Sequence, residues 1–273
     1  MPPFRHLLFI QRNHATGGRG RRWAQRVADA LDASLSVRAD GPRPWDPRSA
    51  LEGPWDLLLK VAEPRRGPLP WRIHPRDRSL LATCPIPVWL LHPAQGGAVS
   101  SVLAAVGVSG PADAPEYRRV MRTGALLAQR LGGSLTVVRP WSLLGETILA
   151  SPLRGVSRER YRGILEETHR EHEALLERTL AAEIPETPVT MVVRKGLPET
   201  VIRDAGWRCD AEVLVMDPVD ARGWGDRILG PLPERLFRGI PCSLLLARTP
   251  RERPARQGIP AGQVASLPHT GAV

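Results

Sequence analysis

Largely apolar runs of three to five residues, set off by turn residues, recur along the chain: LLFI at 7–10, LLL at 57–59, VWLL at 88–91, VLAAV at 102–106, LTVV at 135–138, VTMVV at 189–193, VLVM at 213–216 and SLLLA at 243–247. Runs this short and this continuously apolar are the pattern of parallel strands covered on both faces. Between them the polar and apolar positions change to a helical period. The spacing predicts helices over about 19–31 and 115–131, the second with an apolar stripe of Val120, Leu127 and Leu131. A long helix is predicted over about 157–182, and LPETVIRDA (197–205) opens another.

The runs also repeat. WDLLLKVAEPRRG (55–67) lies beneath AEVLVMDPVDARG (211–223) at an offset of 156 residues, and the same offset sets IHPRDRSLLATCPIPVWLL (73–91) on LGPLPERLFRGIPCSLLLA (229–247). Pro75 then meets Pro231, Leu80 meets Leu236, Pro85 meets Pro241, and Arg66-Gly67 meets Arg222-Gly223. The front halves match at a smaller offset: HLLFIQ (6–11) with SVLAAV (101–106), and ALDASLSV (30–37) with RLGGSLTV (130–137). Repetition on this scale is the mark of two like units in one chain. The second copy has 73 residues between Val137 and Ala211 where the first has 17 between Val37 and Trp55. The first copy therefore lacks a helix, a strand and a helix.

The expected fold is α/β: two tandem flavodoxin- or Rossmann-like units, each with a parallel sheet of order 3-2-1-4-5, the N-terminal one truncated. Strand 3 is an edge in that order, so its loss leaves a continuous 2-1-4-5 sheet. The expected boundaries are 1–94 for the truncated unit, 99–248 for the complete one, and 249–273, without periodicity, for a disordered tail.

The blocks HPRDRSLLATCPIPVWLL, KGLPETVIRDA and LGPLPERLFRGIPCSLLLAR make the chain resemble the universal stress proteins, and among them the tandem, E-type members. The resemblance implies a docked pseudo-dimer in which the last strands of the two units, 87–91 and 243–247, pair antiparallel. ATP-binding members of that family carry G-x2-G-x9-G-[ST] after strand 4, the glycines letting backbone N–H groups reach the phosphates. Laid on this chain, the pattern gives Asp217, Asp220, Gly230 and Pro231, of which only Gly230 matches. The first copy offers Val61, Pro64, His74 and Pro75. Two carboxylates where phosphate charge should sit imply a degenerate, inactive nucleotide loop, so neither ATP nor another cofactor is expected. The family acid that contacts adenine at the end of strand 1 is replaced by VGVSG (106–110) and IQRNH (10–14).

Charge adds little to this picture. The chain of 273 residues has a formal net charge of +10 and a pI near 10.9. Lys60 and Lys195 are its only lysines, the arginines are spread throughout, and aromatics make up 5%. That pattern reads as a solvated basic surface rather than a nucleic-acid interface. The three cysteines, Cys84, Cys209 and Cys242, form no framework, and the apolar core at 7–10 is too short for a signal peptide. No run approaches a membrane span. A cytoplasmic location follows as an expectation.

Other constellations are weaker. NHATGGRGRRW (13–23) offers Gly18, Arg19 and Gly20 as a candidate anion turn, with Asp40 ending strand 2 where a dinucleotide fold places its ribose-binding acid. Trp23 stands where the third glycine of that fingerprint belongs. His169 and His172 in EETHREHE lack the spacing of a zinc helix, so no metal site is expected and they read as the polar face of the long helix. Cys84 and Cys242 read as core fillers, and no nucleophile elbow is present. The apolar stretch 140–153 suggests a loop and short helix over the sheet, with room for an apolar small molecule. The resulting expectation is a non-enzymatic stress-response protein that works by binding protein partners or a small ligand, singly or as a homodimer. The alternatives are an ATP-dependent binder or weak ATPase, and a nucleic-acid-associated protein.

Overall fold

The computed structural model describes residues 4–12, 17–40, 45–63, 73–92, 99–107, 113–143, 146–149, 156–218, 232–233, 235–236 and 240–248. The first part of the chain forms β1 (His6–Arg12), α1 (Gly17–Leu31), β2 (Ser34–Asp40), a 3-10 turn (Pro47–Leu51), β3 (Leu57–Val61), α2 (Pro75–Thr83) and β4 (Val88–Leu91). The second part forms β5 (Ser101–Ala105), α3 (Pro115–Leu131), β6 (Ser134–Trp141), α4 (Glu146–Leu149), α5 (Arg158–Glu183), β7 (Val189–Lys195), α6 (Pro198–Arg208), β8 (Val213–Met216) and β9 (Ser243–Leu246). The expected tail, 249–273, lies outside the described residues.

Helix starts follow local chemistry. α2, α3 and α6 each open with proline in their first turn, where the preset φ suits the helix and the missing N–H has no partner to lose. His74 caps α2 through Nδ1, which accepts from the Arg76 N–H at 3.3 Å. α3 ends on Gly132 at φ +72°, a left-handed position that suits glycine.

Among the described residues nine strands form one sheet, in the order β2-β1-β3-β4-β9-β8-β5-β6-β7. All neighbours are parallel except β4 and β9, which pair antiparallel as Val88↔Leu246, Trp89↔Leu245 and Leu90↔Leu244. The registers on either side of that seam correspond. Leu58 pairs Val88 and Leu214 pairs Leu244, both partners displaced by the 156 residues that align the sequences. His6 pairs Ser34 as Ser101 pairs Ser134.

The apolar core forms two layers, and both run through the seam. On one face Leu7, Phe9, Leu59 and Trp89 join Val102, Val137, Val215 and Leu245 beneath α1, α3 and α5. On the other, Leu8, Leu58 and Leu90 join Leu103, Leu214 and Leu246 beneath α2 and α6. Alternation along each strand makes this inevitable: residues i and i+2 share a face. The seam is also latched outside its ladder. The His92 N–H donates to Ser243 Oγ at 3.0 Å, and the Arg248 guanidinium donates to the Leu81 and Cys84 carbonyls at the end of α2.

Candidate functional site

Ligands of open parallel α/β sheets sit where the strands end. Because β4 and β9 are antiparallel, β1–β4 end on one edge of this sheet and β5–β9 on the opposite edge. The chain therefore has two such crevices.

At the first edge, Lys60 lies on β3 inside an otherwise apolar run and is 6% exposed. A buried ammonium must be paired. Its Nζ donates to Asp77 Oδ1 at 2.8 Å and to Glu63 Oε1 at 2.9 Å. Asp77, fully buried on α2, accepts the Glu63 N–H at 2.7 Å through its other oxygen. His74 Nδ1 stands 3.3 Å from Glu63 Oε2. Burial lowers the Lys60 pKa, but Asp77 and Glu63 outweigh it and hold the group above its ordinary value. Burial raises Asp77 despite Lys60 and the amide, with Glu63 adding to the rise. Beside this cluster a cavity of about 480 Å³ is bounded by Ile10, Trp45, Pro47, Pro75 and Leu80, with Asp40 and Lys60 in its wall.

At the second edge, β8 runs into Asp217, which is 2% exposed and faces Arg119 of α3 at 3.4 Å. Next along the sheet, buried Arg139 on β6 donates to His172 Nδ1 of α5 from Nη2 at 3.1 Å. Burial, then the charge of Arg139, lowers the His172 pKa, so its neutral ring can accept. Trp141 packs on both His169 and His172, with ring centroids 6.0 and 5.3 Å apart. Lys195 closes the row, bound to Glu146 and near the Tyr161 hydroxyl.

Several sequence expectations are relocated by this geometry. Gly18, Arg19 and Gly20 do not form a turn; they lie in the first turn of α1. A Cβ on Gly20 would stand 2.6 Å from Val61 Cγ2 and 3.1 Å from Phe9 Cζ, so close packing accounts for that glycine. Asp40 faces Lys60 at 3.9 Å and accepts the Trp45 N–H at 3.3 Å, which makes it part of the ionic cluster. His169 and His172 are half-buried partners of Trp141 rather than a solvated face. Asp220, Gly230, Pro231 and Pro64 lie outside the described residues. In the second part the described apolar space, about 690 Å³, opens at the starts of β6 and β7 near Leu126, Leu135, Ile184 and Val189, away from the strand ends.

Burial raises the Cys84 and Cys242 thiols to about 11 and about 12, unsuited to nucleophilic work. No group of three potential metal-ligating side chains occurs among the described residues, nor any helix long and apolar enough to cross a membrane. The Lys60 cluster escaped the sequence reading, although a lone lysine inside LLLKV with glutamate three residues on was a usable signal.

Residues 102–248, just over half the chain, match the family model described as universal stress protein family. The chain belongs to the universal stress protein family. It is 25% identical over 194 residues to a universal stress protein E homolog of Haemophilus influenzae; the match covers 70% of this chain and 61% of that relative, about three-fifths of its length. A universal stress protein crystal structure from Pseudomonas aeruginosa superposes with a TM-score of 0.66 at 18% identity, covering 89% of this chain and 92% of the other. A functionally unknown protein of the same organism gives 0.59 at 18% identity, with 88% and 80% covered. At such identities the structural likeness speaks for the fold: an α/β universal stress protein fold on a mostly parallel sheet.

Proposed function

We propose that this chain is a tandem universal stress protein of the cytoplasm, its first unit shortened, which acts by binding partners or a small ligand without catalysing a reaction. The matched registers at the 156-residue offset and the antiparallel seam support the reading of two docked units. The observation that carries the functional part is Asp217. Where the family's phosphate loop begins with glycine, this chain has a buried carboxylate engaged by Arg119. A triphosphate approaching there would meet a carboxylate, and the described guanidinium beside it, that of Arg119, is already engaged.

The test is thermal stability of the purified protein with and without ATP and Mg²⁺, alongside ATP turnover. A ligand at 100 times its Kd stabilises by about 2.7 kcal/mol, which for a chain of this size raises Tm by roughly 5–10 °C. No shift and no hydrolysis above background are expected. A shift of that size, or nucleotide retained through purification, refutes the reading.

A further inference from the structure

The crevice of the first unit has a chemistry of its own. Asp40 is held with its side chain 6% exposed. One oxygen, Oδ1, accepts the Trp45 N–H. The other, Oδ2, has only the Lys60 ammonium 3.9 Å away, beyond hydrogen-bond range, among the described residues. Lys60 itself is committed to Asp77 and Glu63. A buried carboxylate oxygen in a cavity wall without a donor is a place for one. Charge narrows the choice of donor. Among the described residues, Asp40, Asp46 and Asp77 stand in or behind the wall with Lys60 and Arg76, a balance that favours a cation over an anion. Apart from Ser79 on the rim, the remaining lining, Ile10, Trp45, Pro47, Pro75 and Leu80, is apolar. The volume, about 480 Å³, falls within the range of small-molecule sites.

The geometry points to a binding site for a small organic cation: a primary ammonium that donates to Asp40 Oδ2 and carries an apolar or aromatic body against Trp45 and Leu80. This rests on the small-ligand arm of the function proposed above, but not on the state of the second unit's phosphate loop. The arrangement excludes phosphorylated and carboxylated ligands from this crevice.

Three probes with one body and different charge test it: phenethylammonium, 2-phenylethanol and phenylacetate, their affinities measured by ligand-observed NMR on the full chain. A charged donor to Asp40 in place of a neutral one is worth about ten-fold in affinity, so the ammonium should bind about ten-fold tighter than the alcohol and the carboxylate not at all. Asp40→Asn keeps the size and the acceptor for Trp45; it should erase the preference for the ammonium while leaving alcohol binding. Ser79→Arg, an exposed change on the cavity rim, should abolish binding of the ammonium without touching the core. The proposal is overturned if the ammonium shows no preference over the alcohol, if the preference survives in both variants, or if no probe binds. None of these results bears on ATP; stabilisation by ATP would instead strike the phosphate-loop reading and leave the amine result standing.

Discussion

Lys60→Met is the most informative single change in this fold. Removing the ammonium takes from Asp77, fully buried, the cation 2.8 Å from its Oδ1 and from Glu63 the one 2.9 Å from its Oε1. Breaking a buried ion pair from one side costs about 3–5 kcal/mol. At roughly 2–4 °C per kcal/mol for a chain of this length, Tm should fall by about 6–20 °C. The methionine side chain itself is no obstacle. The register correspondence places Met216 of β8, wholly buried, at the position that Lys60 has in β3. The penalty is thus electrostatic, and pH should reveal it.

The sign follows from linkage. Lys60 titrates above its ordinary value, so the stability it contributes is complete below that value and is lost only as pH rises through the raised one. In the variant, Asp77 loses the charge that restrained it and rises further from an already raised position. A raised carboxyl favours the folded state below its ordinary value, about pH 4, and that advantage fades as pH climbs through the folded value. The deficit of Lys60→Met relative to the parent should therefore be largest near pH 7 and shrink on acidification toward pH 4. Adding Asp77→Asn should recover part of it at pH 7. Urea titrations at pH 7, 5.5 and 4 give the numbers. A deficit under 1 kcal/mol, or one that does not change with pH, refutes the account.

Two further changes test packing and the latch. Gly20→Val should destabilise by about 1–3 kcal/mol, because its Cβ would stand 2.6 Å from Val61 Cγ2; were Gly20 an anion-binding position instead, stability in phosphate-free buffer would hardly move. Arg248→Ala removes donors to the Leu81 and Cys84 carbonyls and should cost about 1.5–3 kcal/mol in urea denaturation, with Arg248→Lys recovering only a part.

What the sequence disclosed and what it hid divide along contact distance. The strands were legible because each run is apolar on both faces, a local property of three to five residues, and the helix starts because Pro75, Pro115 and Pro198 carry their own φ. The helix expected over about 19–31 begins two residues earlier, at Gly17, but the role of its glycines was not legible. Glycines signal a turn, whereas the reason for Gly20 is a contact with Val61, 41 residues away. The same holds at both crevices. Asp217 was noticed as a misfit in a phosphate loop, but its partner Arg119 lies 98 residues earlier. Asp77 reads alone as an ordinary first-turn acid, and only β3 packed on α2 makes it the counter-charge of Lys60. Composition could report that an ion must be paired; it could not say with what.

The seam explains why the sheet runs on from β4 into β9. β4 and β9 are buried along their whole length, Val88–Leu91 and Ser243–Leu246, so each would be a sticky, unpaired edge without the other. The edges left open are of another kind. β2 is mostly exposed and carries Ser34, Ser36, Arg38 and Asp40, while β7 is half-buried or exposed throughout. The free edge at β2 exposes Ser34, Ser36 and Arg38, while Asp40 turns into the cavity wall. Removing β4 or β9 would strip the other strand of the surface that completes the core, since both apolar layers run through them. Among the described strands the sheet can therefore end at β2 or β7, but not at β4 or β9.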